Sequence, residues 1–330
     1  MVYQEEFLQR LQYLLGKALP RWELSADSEL KLLTISENAT YLVTDPDRQR
    51  HLVMRVHRPD YTTHAEIRSE LAWIKALRQS GAVQTAAPVP MADGKLVGVI
   101  QDGAHIRHVV AFEFVPGREP EAADNLEDWY QELGTITGRL HSHSKSWRKP
   151  AGFTRKIWDY ATILGERAYW GNWRHAQGLT PDGLAILERT AALLKKQTDN
   201  FGSDPQRFGL IHCDMRLANL LVNEEKMTVI DFDDCGICWY AYDFAASVSF
   251  MEHDPRIDSF LHAWLTGYRS VAPFSEEEEK AIPMFLMLRR MQLTAWVASH
   301  AETPTAQSMG TDYTLGTLAL AENYLSRHKK

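Results

Sequence analysis

RFGLIHCDMRLANLLVNEEKMTVIDFDDCG, residues 207–236, decides how the rest of the chain is read. Phe208–Ile211 is a short apolar run, and His212, Asp214 and Asn219 follow on a polar loop. Leu220–Val222 is a second apolar run, NEEK a turn, and Met227–Ile230 a third run that ends in Asp231-Phe232-Asp233. Short apolar runs bounded by turn residues read as strands. Strands of this kind fix the ends of two loops, which then present two carboxylates and one carboxamide to a common space. Hard oxygen ligands suit Mg²⁺. A further carboxylate beside an incoming hydroxyl suits its deprotonation or orientation. A polar hairpin with Asp and Asn as caps is the competing reading of the same residues.

Upstream, the first ~115 residues mix strand and helix signals. LKLLTISENATYLVT (30–44) is two apolar runs joined by SENAT, a hairpin pattern, and HLVMRVH (51–57) alternates as a strand does. AEIRSELAWIKALRQSG (65–81) spaces Ile67, Leu71, Ile74 and Leu77 as a helix and closes on Gly81. Strand-like pieces return in 82–113, and FVPG (114–117) marks the expected junction between two lobes. Beyond it the pattern turns helical. LEDWYQELGTITGRLHSHS (126–144) puts Leu126, Trp129, Tyr130, Leu133, Ile136 and Leu140 on one face, with Asp124 or Asn125 as cap. Further helices are expected near 241–252, 255–269, 276–300 and 312–328. The expected fold is α+β and two-lobed, with a small β-rich lobe over 1–115 and a larger, mainly helical lobe over 116–330.

Composition narrows the function. The chain has 330 residues, is 45% hydrophobic and 24% charged, and carries a formal charge of −7. That is ordinary for a globular enzyme and leaves no basic stretch for nucleic acid. The acidic, amphipathic start MVYQEEFLQRLQYLL is unlike a signal peptide. AIPMFLMLRRMQLTAWVASH is interrupted by Arg289 and Arg290, which favours a buried helix over a membrane span. Three cysteines, Cys213, Cys235 and Cys238, are too few for a disulfide framework and point to the reducing cytoplasm. Cys235 and Cys238 form a CxxC, either half a metal or redox site or small residues packed near a turn.

HCDxxxxN followed by IDFD resembles the catalytic and metal loops of the aminoglycoside phosphotransferase/choline kinase-like family, which shares the logic of protein kinases. RVHRPDY and HCDMRLANLL look most like its homoserine kinase-like and stress-response-kinase-like branch. The resemblance implies a protein-kinase-like fold and an ATP- and Mg²⁺-dependent phosphotransferase. It makes Asp214 the catalytic base, with Asn219 and Asp231 as metal ligands. His212 and Asp243 then steady the catalytic loop. The family's phosphate-binding strand Lys falls here on Arg55, a departure that keeps the charge. Its helix partner is Glu70, with Glu66 one turn earlier as the alternative. Ser36 and Asn38, at the SENAT turn, lie where the family covers the phosphates. The Glu113 carbonyl and Val115 amide lie where the lobe linker binds adenine.

The acceptor is expected to be a small hydroxylated molecule: an amino alcohol, a hydroxy amino acid, or a sugar-like or aminoglycoside-like compound. Arg216, two residues after Asp214, either meets an anionic group of the acceptor or pairs with an acidic neighbour. Trp239 and Tyr240 either wall the acceptor pocket or pack in the core. Arg289, Arg290 and Trp296, on a late helix, either help to close the site or serve packing and surface pairing, and the second is the expectation. After DFDDCG the chain moves quickly to WYAYDFA, leaving no long activation segment to hold a peptide. A bacterial Ser/Thr protein kinase and a nucleotide-binding regulatory module without catalysis are the two alternatives.

Overall fold

Alternation along the strands builds the first layer of the protein. The structure is a computed structural model and describes residues 5–36, 38–121, 124–224 and 226–328. Glu37 of SENAT, Glu225 of NEEK and the first four residues of the amphipathic start lie outside the described residues. Helix α1 (Glu5–Ala18) precedes strands β1 (Glu29–Ile35), β2 (Asn38–Asp45) and β3 (Arg50–His57). Helix α2 (His64–Ser80) comes next, then β4 (Pro88–Val89), β5 (Val97–Asp102) and β6 (His105–Glu113). The antiparallel sheet runs β1-β2-β3-β6-β4, with β5 also paired to β6.

On β3, Leu52, Met54 and Val56 join Leu11, Leu15 and Trp22 in one apolar cluster. The period of two then turns Arg55 to the other face. Helix α2 starts in a capping box, where Thr63 accepts from the Glu66 amide and Glu66 accepts from the Thr63 amide. It stops at Gly81, whose φ of 68° is a left-handed cap.

The rest of the chain adds α3 (Leu126–Ser146), α4 (Tyr160–Ile163), α5 (Pro181–Phe201), β7 (Phe208–Ile211), β8 (Leu220–Asn223) and β9 (Lys226–Val229). It ends with β10 (Gly236–Trp239), α6 (Tyr242–Ser247), α7 (Ile257–Arg269), α8 (Glu276–Ser299) and α9 (Pro304–Arg327). Helix α5 is not among the expected elements, α6 is shorter than expected and α9 starts earlier, and two further details differ. Strand β7 pairs with β10, in register from Gly236↔Ile211 to Trp239↔Phe208, while β8 pairs with β9. Cys238 therefore lies on a strand and Cys235 just before it, and four residues are too few to reveal that strand by periodicity. Asn125 does occupy the N-cap of α3, but its amide donates to Asp128 Oδ2 at 2.6 Å instead of its oxygen capping the helix.

Two compact units result. The first holds the described residues up to Arg118 together with Arg148–Arg155 and Leu221–Asp233. The second holds the described residues of Glu119–Trp147, Lys156–Leu220 and those from Asp234 onward. In the second unit α3 and α7 meet backbone to backbone. A Cβ on Gly134 would lie 2.0 Å from the Trp264 carbonyl oxygen, and one on Gly267 1.8 Å from that of Gln131. Beside this contact Tyr130 stacks on Phe260 with ring centroids 4.5 Å apart. Gly267→Ala is expected to force the helices apart at a cost of about 1–3 kcal/mol or more. A urea midpoint equal to that of the parent chain would contradict this contact.

Candidate active site

The first unit assembles charge on the non-apolar face of its sheet. Arg55 is 4% exposed and Glu70, on α2, is 0% exposed. Arg55 Nη2 donates to both Glu70 oxygens, at 2.6 and 2.8 Å, and Nη1 donates to Asp231 Oδ1 at 3.1 Å. The guanidinium also lies 5.5 Å from the ring centroid of Phe112. Glu66 caps α2 and takes no part in this pairing. β3 lies between β2 and β6, so Arg55 stands on an inner strand of the sheet.

Asp231 has a φ of 61° and a side chain 44% exposed. The loop around it is tied down within the same unit. Phe232 packs edge-on to Trp73, with centroids 5.6 Å apart. Asn38 Nδ2 donates to Asp233 Oδ2 at 2.5 Å. Arg155 donates to the Asp233 carbonyl through Nη2 and to the Glu66 carbonyl through Nη1 at 3.0 Å. At the end of β6 the Glu113 amide donates to the Ala87 carbonyl at 2.9 Å. Among the described residues the Val115 amide has no hydrogen-bond acceptor.

In the second unit β7 delivers His212, Cys213 and Asp214 to a strained turn, with Cys213 at a φ of 69°. Asp243 holds this turn. Its oxygens accept from the Cys213 amide at 2.8 Å and the His212 amide at 3.2 Å. The His212 ring in turn accepts from the Asp214 amide through Nδ1 at 3.2 Å. Behind Asp243, His141 bridges the Asp243 carboxylate and the Tyr268 hydroxyl, each at 3.0 Å. A neutral imidazole satisfies both by donating to the one and accepting from the other.

Asp214 is 16% exposed at its side chain and is held on both oxygens. Oδ1 accepts from Arg289 Nη2 at 2.5 Å. Oδ2 accepts from Asn219 Nδ2 at 2.8 Å and from Arg216 Nε at 3.4 Å. Asn219 Nδ2 also donates to the Asp214 carbonyl at 2.7 Å. With its amide nitrogen spent, Asn219 keeps Oδ1 as an acceptor.

Residues 30–274 match the family model described as the phosphotransferase enzyme family. This chain belongs to that family. The solved structure of a microcompartment-associated aminopropanol kinase is 44% identical to it, with a TM-score of 0.88. That match covers 95% of this chain and 97% of the other. The amicoumacin kinase of Bacillus subtilis (strain 168) is 26% identical over 296 residues, 85% of this chain and 82% of the relative. The structure of amicoumacin kinase hAmiN with AMP-PNP, Ca²⁺ and Ami shares the fold, with 23% identity and a TM-score of 0.80. It covers 98% of this chain and 96% of the other. The fold is the two-lobed α+β, protein-kinase-like one, with a small β-rich lobe and a larger helical lobe. The chain is a small-molecule phosphotransferase, an enzyme of the kinase type.

Within this phosphotransferase the alternatives left open at Trp239, Tyr240 and Arg216 fall on the side of packing and pairing. Trp239 and Tyr240 are buried and pack in the core. The Trp239 indole donates to the Gly202 carbonyl at 2.7 Å and its ring packs on Phe208 and Phe285. Tyr240 fits its hydroxyl over Gly209, where a Cβ would lie 2.1 Å away, and its ring packs on His141. The Asn38 side chain is not a spare phosphate donor. It is shared between Asp233 and the Arg58 amide, which donates to Asn38 Oδ1 at 3.2 Å. The Ser36 amide closes the turn on the Asn38 carbonyl at 3.1 Å. Arg216 pairs with an acidic neighbour, and that neighbour is Asp214.

The sequence assigns Arg155 no role beside Asp233 and favours packing or surface pairing for Arg289 over a place near Asp214. For Arg289 a signal was present: a charge in the middle of an apolar helical run must find a partner once buried. Arg155, in a loop of mixed composition, carried no such signal.

Burial depresses the His141 imidazole below its ordinary 6.5, although Asp243 beside it pulls the other way. The unfolded chain therefore takes up a proton at a pH where the folded chain resists it. The stability this provides is complete above about pH 6.5 and is lost as the pH falls toward the depressed folded value. Burial depresses His108 and His143 as well, so they add to the same trend. The urea midpoint is expected to drop between about pH 7.5 and 5.5, and His141→Gln to flatten part of that drop. A His141→Gln profile parallel to the parent's would show that His141 does not contribute.

Proposed function

We propose that this chain transfers the γ-phosphoryl group of ATP, with Mg²⁺, to the hydroxyl of a small amino alcohol in the cytoplasm. The surroundings of Asp214 carry the reading: a carboxylate fixed on one oxygen by a buried cation and on the other by Asn219, whose own Oδ1 remains available. Oxygen donors of this type, with the half-exposed Asp231 carboxylate, fit a hard divalent cation. Asn219 and Asp231 would hold the metal. When bound, Mg-ATP supplies the phosphoryl group and the metal offsets its negative charge.

Each residue of the chain then has a defined task. Arg55, kept oriented by Glu70, offers its cation to the phosphates. The turn at Ser36 and Asn38 lies next to the metal loop in the first unit and braces it through Asp233. The Glu113 carbonyl and the Val115 amide would take the adenine edge. Asp214 accepts the hydrogen bond of the acceptor hydroxyl and aims its oxygen at the phosphorus. Arg216 holds Asp214 through one long contact and is exposed enough to turn to an anionic oxygen instead. The residues 1–115 form the nucleotide-covering lobe and 116–330 the lobe that takes the acceptor.

The 44% identity to an aminopropanol kinase, spread over 95% of the chain, supports an amino alcohol over the other acceptors. The short connection after Asp231 also supports a small acceptor. Strand β10 begins at Gly236 and α6 at Tyr242, so no extended platform for a peptide intervenes.

Nucleotide consumption should be followed with Mg-ATP and a panel of 1-amino-2-propanol, ethanolamine, choline and homoserine. Turnover is expected with an amino alcohol and to vanish on chelation of the metal. Asp214→Ala should lower kcat by roughly 10²–10⁴-fold with modest change in nucleotide affinity, whereas Asp231→Ala should weaken Mg-ATP binding as well. Full activity in Asp214→Ala would remove the role assigned to this carboxylate.

A further inference from the structure

Two arginines touch Asp214, and they are not equivalent. Arg216 is 35% exposed and reaches Oδ2 through one contact of 3.4 Å. Arg289 is 1% exposed and reaches Oδ1 at 2.5 Å. Every nitrogen of Arg289 is used. Nε donates to Ser249 Oγ at 2.9 Å, and Nη1 lies 3.4 Å from both the Cys213 carbonyl and Gln292 Oε1. The guanidinium lies 4.9 Å from the ring centroid of Trp170 and 5.9 Å from that of Tyr242.

A planar guanidinium held on all sides cannot swing away, and it remains charged at any working pH. Helix α8 places it in the middle of an apolar run, where an aliphatic residue would pack without the penalty of burying a charge.

We propose that Arg289 is the positioning residue of this phosphotransferase. It pins Oδ1 of Asp214 while Asn219 holds Oδ2 at 2.8 Å, and Oδ2, once the exposed Arg216 gives up its single 3.4 Å contact, is the oxygen that meets the acceptor hydroxyl. Because Arg289 also reaches the Cys213 carbonyl, it fixes the backbone turn and the side chain of the base together. The inference rests on the reading of Asp214 as the base and goes beyond it by assigning the device that orients the base.

Steady-state kinetics of Arg289→Gln, Arg289→Lys, Asp214→Asn and the Asp214→Asn/Arg289→Gln double variant test it. Transfer to 1-amino-2-propanol from Mg-ATP is the readout or, if that alcohol is refused, hydrolysis of Mg-ATP by water. Folding is checked by thermal unfolding. Arg289→Gln should lower kcat by about 100-fold, the effect of a base misplaced by about an ångström, while the KM for ATP stays nearly constant. Arg289→Lys, which keeps the cation at shorter reach, should recover part of the loss. The double variant should be no slower than Asp214→Asn alone, because groups that act as a unit do not lose activity additively. If Arg289→Gln does not fold, Arg289→Lys decides by the same split between kcat and KM.

Unchanged kcat in the Arg289 variants, or losses that multiply in the double variant, would overturn the proposal. Wild-type activity in Asp214→Asn would instead remove the base on which it rests. The two failures are therefore told apart by different proteins.

Discussion

A buried guanidinium shared between two carboxylates organises the first unit. Arg55 would be costly to bury alone, and so would Glu70. Together they are stable because one guanidinium nitrogen is gripped by both Glu70 oxygens while another reaches out to Asp231. Such a pair rarely stabilises more than an apolar pair of the same volume would. Its value lies in the geometry it imposes, since it joins β3, α2 and the metal loop at one point. Glu70 has no access to solvent, whereas the Asp231 carboxylate is half exposed. The buried partner fixes the cation, and the exposed one carries its charge to the surface.

The second unit solves the same problem with different residues. The loop of Asp214 turns through left-handed backbone at Cys213, just as the loop of Asp231 does at Asp231 itself. Strained backbone of this kind persists only where the surroundings hold it. At Cys213 the holding group is Asp243, which accepts two successive amides and is itself backed by His141 and Tyr268. At Asp231 the holding groups are Asn38, Arg155 and Trp73, acting through the next two residues. In both places neighbouring side chains fix the residues proposed to meet the substrates.

Much of this was legible in the sequence because it came from local pattern. The hairpin about SENAT, the strand bearing Arg55, the capped helix bearing Glu70 and the loop order His212-Asp214-Asn219 are all written over short spans. The preference for Glu70 over Glu66 agrees with the structure because Glu66 sits at the third helical position, where a capping box claims it. The features that escaped depend on distance along the chain. β10 is too short to announce itself, and its partner β7 is set by tertiary packing. Trp239 and Tyr240 come soon after the metal loop in sequence, yet they point into the core because the strand and the helix after it turn them inward. Arg289 reaches Asp214 from a helix far along the chain, and no local pattern encodes that meeting.

The central claim is that Arg55, oriented by Glu70, is the cation that receives the nucleotide's phosphates. Calorimetric titration of AMP-PNP with Mg²⁺ into the parent chain, Arg55→Lys and Arg55→Met tests it most directly. Tight, metal-dependent binding is predicted for the parent, weaker binding for Arg55→Lys and none measurable for a folded Arg55→Met. Equal affinity in all three chains would contradict it.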